Sequence, residues 1–298
     1  MLSTIMPSKS FAEVHGKKMA YFDVGEGPNV VFLHGNPTSS YIWRNVIPFV
    51  SPHARCIAPD LIGMGDSDKL HDGGDERYNF ITHQRFISRF LEVVGAERDV
   101  VLVAQDWGGA LAMDWAQRHP EKVRGIAYLE TIVRPRTWDE MDPIVRDTFR
   151  RLRSPEGDEM VLQNNVFIEK LLPARILRTL TEVEMDAYRR PYLNAGEDRR
   201  PTLSFPRQIP IDGIPKDVAD VVSSYSSWMA ENDIPKLFIN GDPGGILVGD
   251  LRELCRTWQN QKEVTVKGSH FLQEDSPDEM GTALAKWLGT LPHHAITS

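Results

Sequence analysis

The chain has 298 residues, with 42 Asp and Glu against 34 Lys and Arg and a formal net charge of −8. That length means one large domain or one domain with an insertion, able to bury roughly three quarters of its unfolded surface without staples. The acidic balance argues against nucleic acid as a partner, and because both signs are interspersed the charge reads as solubility.

No apolar run reaches membrane-spanning length, and Met1–Ser10 lacks an apolar core of signal-peptide length. Two distant cysteines, Cys56 and Cys255, match no metal spacing and read as inert core thiols. The expected setting is cytoplasmic.

Phe11 to Val14 and Lys18 to Val24 read as an opening hairpin around His15-Gly16, and Val30-Val31-Phe32-Leu33 as a short buried strand. That strand runs into the loop His34-Gly35-Asn36-Pro37, with a helix expected from about Ser40 to Val50. Arg55 to Pro59 is a strand and Asn79 to Val94 an amphipathic helix. Val100 to Ala104 is continuously apolar, as in a strand covered on both faces. A helix to His119 and a strand Val123 to Glu130 follow. Strands alternating with helices predict a mostly parallel eight-stranded sheet flanked by helices, with right-handed crossovers.

From about Ile132 to Gly213 there is no strand signal. Helices are expected over Trp138 to Leu152, Asp158 to Leu171 and Thr181 to Leu193, the last opened by the capping box Thr181-Glu182-Val183-Glu184. The reading is a core of residues 1–131 and 214–298 with an inserted helical cap, 132–213. The alternation resumes with a helix Asp217 to Glu231, strand Lys236 to Asn240, helix Gly249 to Trp258 and strand Glu263 to Val266. Ser276-Pro277-Asp278-Glu279 caps a last helix. The tail from Pro292 is expected to fray.

Gln105-Asp106-Trp107-Gly108-Gly109 follows the central strand and has the small-x-nucleophile-x-small pattern of a nucleophile elbow, with Asp in place of Ser. A carboxylate there suits attack on a tetrahedral carbon. It is ionised at neutral pH and needs no base, and the ester formed can be hydrolysed at its own carbonyl. The plain alternative is an Asp capping the next helix.

In an open α/β sheet, ligands lie at the carboxyl ends of the strands. His270 follows the last strand, in the place of a hydrolase base that activates water. The usual acid pattern after the preceding strand is Gly-x-x-Asp, but Gly241-Asp242-Pro243-Gly244 puts glycine at the acid position. Glu130, at the end of a buried strand, is therefore the candidate that orients His270. Asn36 and Trp107 flank the nucleophile, and their N–H groups suit an oxyanion and a large, soft anion such as halide. His34 reads as structural.

With these pieces in place, the chain resembles the haloalkane dehalogenases of the α/β-hydrolase superfamily from about Phe11 to the last helix. It is similar to the branch with an Asp-His-Glu triad and an Asn/Trp halide pair, that of the tetrachlorocyclohexadiene hydrolase. The resemblance rests on His34-Gly35-Asn36-Pro37, Gln105-Asp106-Trp107-Gly108-Gly109, Tyr128-Leu129-Glu130 and Gly268-Ser269-His270-Phe271. It implies Asp106 as nucleophile, His270 as base, Glu130 as acid, and Asn36 with Trp107 as halide binders. It also implies a cap pocket walled by Trp138, Phe149, Phe167, Pro206 and Ile246, with Arg175 at the tunnel mouth. The partners expected are a small halogenated aliphatic substrate, water and halide ion, with no cofactor, metal, membrane or nucleic acid, and a monomeric enzyme. An epoxide hydrolase is the nearest rival and would need cap tyrosines, for which Tyr188 and Tyr192 are available. A coelenterazine-type luciferase and a binding module on the same fold are the others.

Overall fold

The computed structural model describes residues 8–71 and 74–292; of the tail expected to fray, 293–298 lie outside them. Eight strands form one sheet: β1 Ser10–Val14, β2 Lys17–Val24, β3 Asn29–Leu33, β4 Arg55–Pro59, β5 Val100–Asp106, β6 Val123–Thr131, β7 Lys236–Pro243 and β8 Gln261–Gly268. Their order is β1-β2-β4-β3-β5-β6-β7-β8. The first two strands run antiparallel to their neighbours and the remaining pairs are parallel. Every residue of β5 and β6 is buried, and the apolar runs 100–104 and 126–129 form their centres.

Helices α1 Phe80–Val93 and α2 Trp107–Arg118 follow the strands as expected. Asn79 caps α1 by accepting the Thr82 N–H. At the start of α2, a Cβ on Gly108 would lie 2.3 Å from the Leu33 carbonyl oxygen, so only glycine lets this helix pass β3 so closely. The region expected as a helix from Ser40 to Val50 is instead a 3-10 turn, Ser40–Trp43, and a single α turn, Ile47–Val50, opened by Pro48. No helix among the described residues is long and apolar enough to cross a membrane. Cys56 and Cys255 are both buried and unpaired, and burial pushes their thiols up to about 12.

Between β6 and the helix before β7 the chain contributes no strand to the sheet. Helix α3 spans Pro143–Leu152, with Asp142 as its cap, and α4 spans Glu182–Arg189. The predicted capping box of α4 is present in both directions. The single helix expected over Asp158 to Leu171 is broken into two π turns, Glu159–Gln163 and Phe167–Leu171. The break falls at Asn164-Asn165, where Asn165 takes φ +50°.

A helix not expected from the sequence, α5, runs from Arg200 to Gln208. Pro201 opens it, but Pro206 lies inside it. Helices α6 Lys216–Glu231, α7 Asp250–Arg256 and α8 Pro277–Leu288 complete the chain. Pro277 stands at the first turn of α8 as predicted. Ser276 does not cap with its side chain; its hydroxyl donates to the Lys267 carbonyl at 2.6 Å and ties the helix to β8.

Candidate active site

At the corner between β5 and α2, Asp106 takes φ +53° and ψ −128°, a conformation that L-residues rarely adopt. Two features hold it there. The Thr131 hydroxyl donates to the Asp106 carbonyl at 2.6 Å, and the Asn36 backbone N–H donates to the Asp106 carboxylate at 2.8 Å. The side chain therefore stands at the carboxyl edge of the sheet and not in a capping hydrogen bond, which removes the plain helix-cap reading. Burial pushes its carboxyl above the ordinary aspartate value. Nearby His270 and the backbone N–H groups of Asn36 and Trp107 pull the other way.

Glu130 reaches the site through a β-bulge. Gln105 pairs with Leu129 across β5 and β6, but Asp106 pairs with Thr131, leaving Glu130 as the extra residue, with φ +40°. The bulge turns a fully buried carboxylate toward His270. Its Oε2 lies 3.6 Å from His270 Nδ1 and accepts the N–H groups of Gly245 and Ile246. Gly244-Gly245 stands where the usual acid would be. A Cβ on Gly245 would lie 3.0 Å from His270 Cβ and 3.1 Å from Glu130 Oε2. The loop after β7 thus supplies hydrogen-bond donors to a carboxylate from β6 instead of its own acid. Asp242 is exposed near the end of β7.

His270 Nε2 lies 3.6 Å from Asp106 Oδ2, so the imidazole stands between the two carboxylates. Gln105, quoted in the motif but given no role there, is fully buried and its amide nitrogen is 2.9 Å from His270 Nε2. A polar side chain inside a buried apolar strand is the signal that would have found it, because such a group needs a partner. His34 is structural as expected. Its Nε2 accepts the Leu61 N–H at 2.9 Å, and burial lowers it to about 4, so it is neutral.

Trp107 is buried at the start of α2, stacked on Phe205 at 5.2 Å and tilted against Phe80 at 5.9 Å. Asn36 is held by the unexpected helix. Its amide donates to the Thr202 carbonyl at 3.1 Å. In a regular helix that carbonyl would accept the N–H of residue 206, but Pro206 has none. The proline that obscured α5 in the sequence frees the acceptor that orients Asn36. One hydrogen of the amide is engaged in this way, and the other is available to a bound anion.

The wall residues divide. Ile246 donates its N–H to Glu130, the Arg175 carbonyl accepts the His270 N–H at 3.2 Å, and Pro206 adjoins Phe205 on the Trp107 ring. Trp138 lies beneath the guanidinium groups of Arg150 and Arg153, at 5.4 and 5.8 Å. Phe167 packs in a small cluster with Leu152, Val161, Leu162 and Leu203, and Phe149 is half-buried on α3. Of the two tyrosines an epoxide hydrolase would need, Tyr188 gives its hydroxyl to Glu274, and Tyr192 is buried beneath the Lys69 ammonium, 4.6 Å from its ring centre.

A mostly parallel sheet with an acidic residue at the elbow, a histidine after the last strand and a carboxylate facing it defines a hydrolase. Residues 28–277 match the family model described as the alpha/beta hydrolase fold. The chain is 53% identical over 283 residues to a haloalkane dehalogenase of Sphingobium indicum, covering 95% of this chain and 96% of that protein. It is 50% identical to one of Mycolicibacterium smegmatis, covering 93% and 90%. The crystal structure of a haloalkane dehalogenase from Bradyrhizobium elkani superposes with a TM-score of 0.90 at 42% identity, covering 95% of this chain and 97% of that one. The chain belongs to the haloalkane dehalogenases, hydrolases that act on carbon–halide bonds.

Proposed function

We propose that this chain hydrolyses haloalkanes through an ester on Asp106. The Asp106 carboxylate attacks the halogen-bearing carbon from behind, the carbon–halogen bond breaks, and the halide leaves with the bonding pair. Asn36 and Trp107 donate N–H hydrogens to the departing ion. His270 then takes a proton from water as the oxygen adds to the ester carbonyl, and the backbone N–H groups of Asn36 and Trp107 stabilise the oxyanion. Glu130 holds the imidazole by Nδ1 and stabilises its positive charge. Collapse releases the alcohol, and the net products are alcohol, halide and a proton.

The observation that carries this reading is His270 standing 3.6 Å from a carboxylate on either side, one on the elbow and one on the bulge. The reading takes residues 132–213 as a cap over the site, supported by the contacts that Thr202 and Arg175 make with Asn36 and His270. It takes the acting unit as a single chain, since all five central residues come from one. A short bromoalkane should yield bromide and acid in equal amounts. In a single turnover in ¹⁸O-water the label should enter the Asp106 carboxyl group, leaving the first alcohol unlabelled; label in that alcohol would rule out the ester.

The halide site has its own test. Pro206→Ala restores an N–H that competes for the Thr202 carbonyl. Loss of one hydrogen bond of about 1 kcal/mol corresponds to roughly fivefold. The expected result is bromide inhibition weakened about fivefold, with hydrolysis of a preformed ester unchanged. Equal bromide inhibition in variant and parent would break the link between Pro206 and Asn36.

A further inference from the structure

The loop that carries His270 is gripped from one side by residues 175–188. The Arg175 carbonyl accepts the N–H groups of His270 and Phe271, at 3.2 and 3.4 Å. Asp275 bridges the two segments. Its Oδ2 accepts the Ser269 N–H at 2.9 Å, and its Oδ1 accepts the N–H groups of Leu177 at 2.7 Å and Arg178 at 3.3 Å. Arg178 Nε also donates to the Glu274 carbonyl at 2.7 Å. The fully buried Glu274 carboxylate is held by Arg44 at 2.6 and 2.8 Å, by Arg178 and by the Tyr188 hydroxyl.

These contacts fix the peptide before the base, the base's own N–H and the peptide after it. None of Asp275, Glu274 or Arg178 is among the groups that meet substrate in the proposed reaction. We propose that Asp275 is a positioning residue for ester hydrolysis: it locks the Ser269–His270 backbone to the Leu177–Arg178 segment and so holds the imidazole in register with Asp106. This rests on the Asp106 and His270 roles proposed above. It assigns Asp275 to one half of the reaction only, because halide displacement uses no base, whereas activation of water tolerates little error in imidazole position. A misplacement of about 1 Å can cost on the order of 100-fold.

The test compares Asp275→Ala and Asp275→Asn with the parent by rapid quench, using 1-bromobutane. Burst amplitude counts competent sites, so partial unfolding lowers amplitude without altering either rate constant. Asp275→Ala should alkylate within about threefold of the parent and hydrolyse the ester about 10- to 100-fold more slowly. Its kcat and KM should fall together, with kcat/KM preserved. Asp275→Asn keeps one oxygen acceptor for two segments and should lie between. Equal slowing of both steps, or of neither, while His270→Ala still traps the adduct, would overturn the positioning role. A His270→Ala variant that forms no adduct would instead eliminate the Asp106 ester, and with it the two-step reaction on which the proposal rests.

Discussion

Replacing His270 with alanine is expected to turn the enzyme into a stoichiometric trap. Displacement of halide requires only the Asp106 carboxylate and an arrangement that accepts the leaving ion. Both survive the substitution, since Asp106 is held by the Asn36 N–H and its carbonyl by Thr131. Hydrolysis does not survive, because in the proposed reaction the imidazole beside Asp106 Oδ2 is the group that takes the proton from water. One halide per chain should be released in a burst and turnover should then stop, with kcat lower by about 10³-fold or more. Mass spectrometry of the peptide containing Asp106 should show the added alkyl group. Unchanged peptide mass after exposure to a substrate that the parent turns over would eliminate the covalent route.

Glu130→Gln should be nearly as damaging, again at the second step. Glu130 Oε2 accepts two backbone N–H groups and faces His270 Nδ1, while Oε1 has no hydrogen-bond partner. If the glutamine amide turns its oxygen to the loop, the buried NH₂ has no acceptor and the charge that stabilises imidazolium is gone. If it turns its nitrogen to the loop, donors face donors. The equivalent exchange in serine hydrolases costs about 10⁴-fold in kcat. Rapid-quench measurement should give an alkylation rate within a few-fold of the parent and an ester that accumulates in the steady state. A Glu130→Gln enzyme that hydrolyses its ester at the parental rate would show that this carboxylate does not serve the base.

Much of the architecture was legible because the central strands are built on apolar runs, 100–104 and 126–129, and the turn after β5 carries its own small residues. β6 ends one residue and β5 two residues beyond the ends expected from the sequence, and the elbow follows directly. The departures have physical causes. Helix α5 was hidden because two prolines read as loop punctuation, although one opens the helix and the other is tolerated by giving its orphaned carbonyl to a side chain from the core. The Asp158–Leu171 stretch has helical composition but breaks at a left-handed asparagine. Ser276 looked like a side-chain cap and is a strand clip, because its hydroxyl donates instead to the nearby Lys267 carbonyl.

Within the site, Asp106, His270, Glu130, Asn36 and Trp107 could be named from motifs and strand ends. The groups that aim them could not. Thr131, Thr202, Phe205 and Gly245 act across long sequence separations, which no local pattern encodes. Glu130 was found by position, but the bulge that points it inward appears only in the strand register.

The carbonyl released by Pro206 bears on how this molecule could be recombined with its relatives. The amide of Asn36 is oriented by a group from a different stretch of chain, so exchanging residues 132–213 also exchanges half of what orients it. A chimaera that receives a segment without proline four positions after the facing carbonyl inherits a slack asparagine, however well the new segment folds. Loop and helix have to be transplanted as a matched pair.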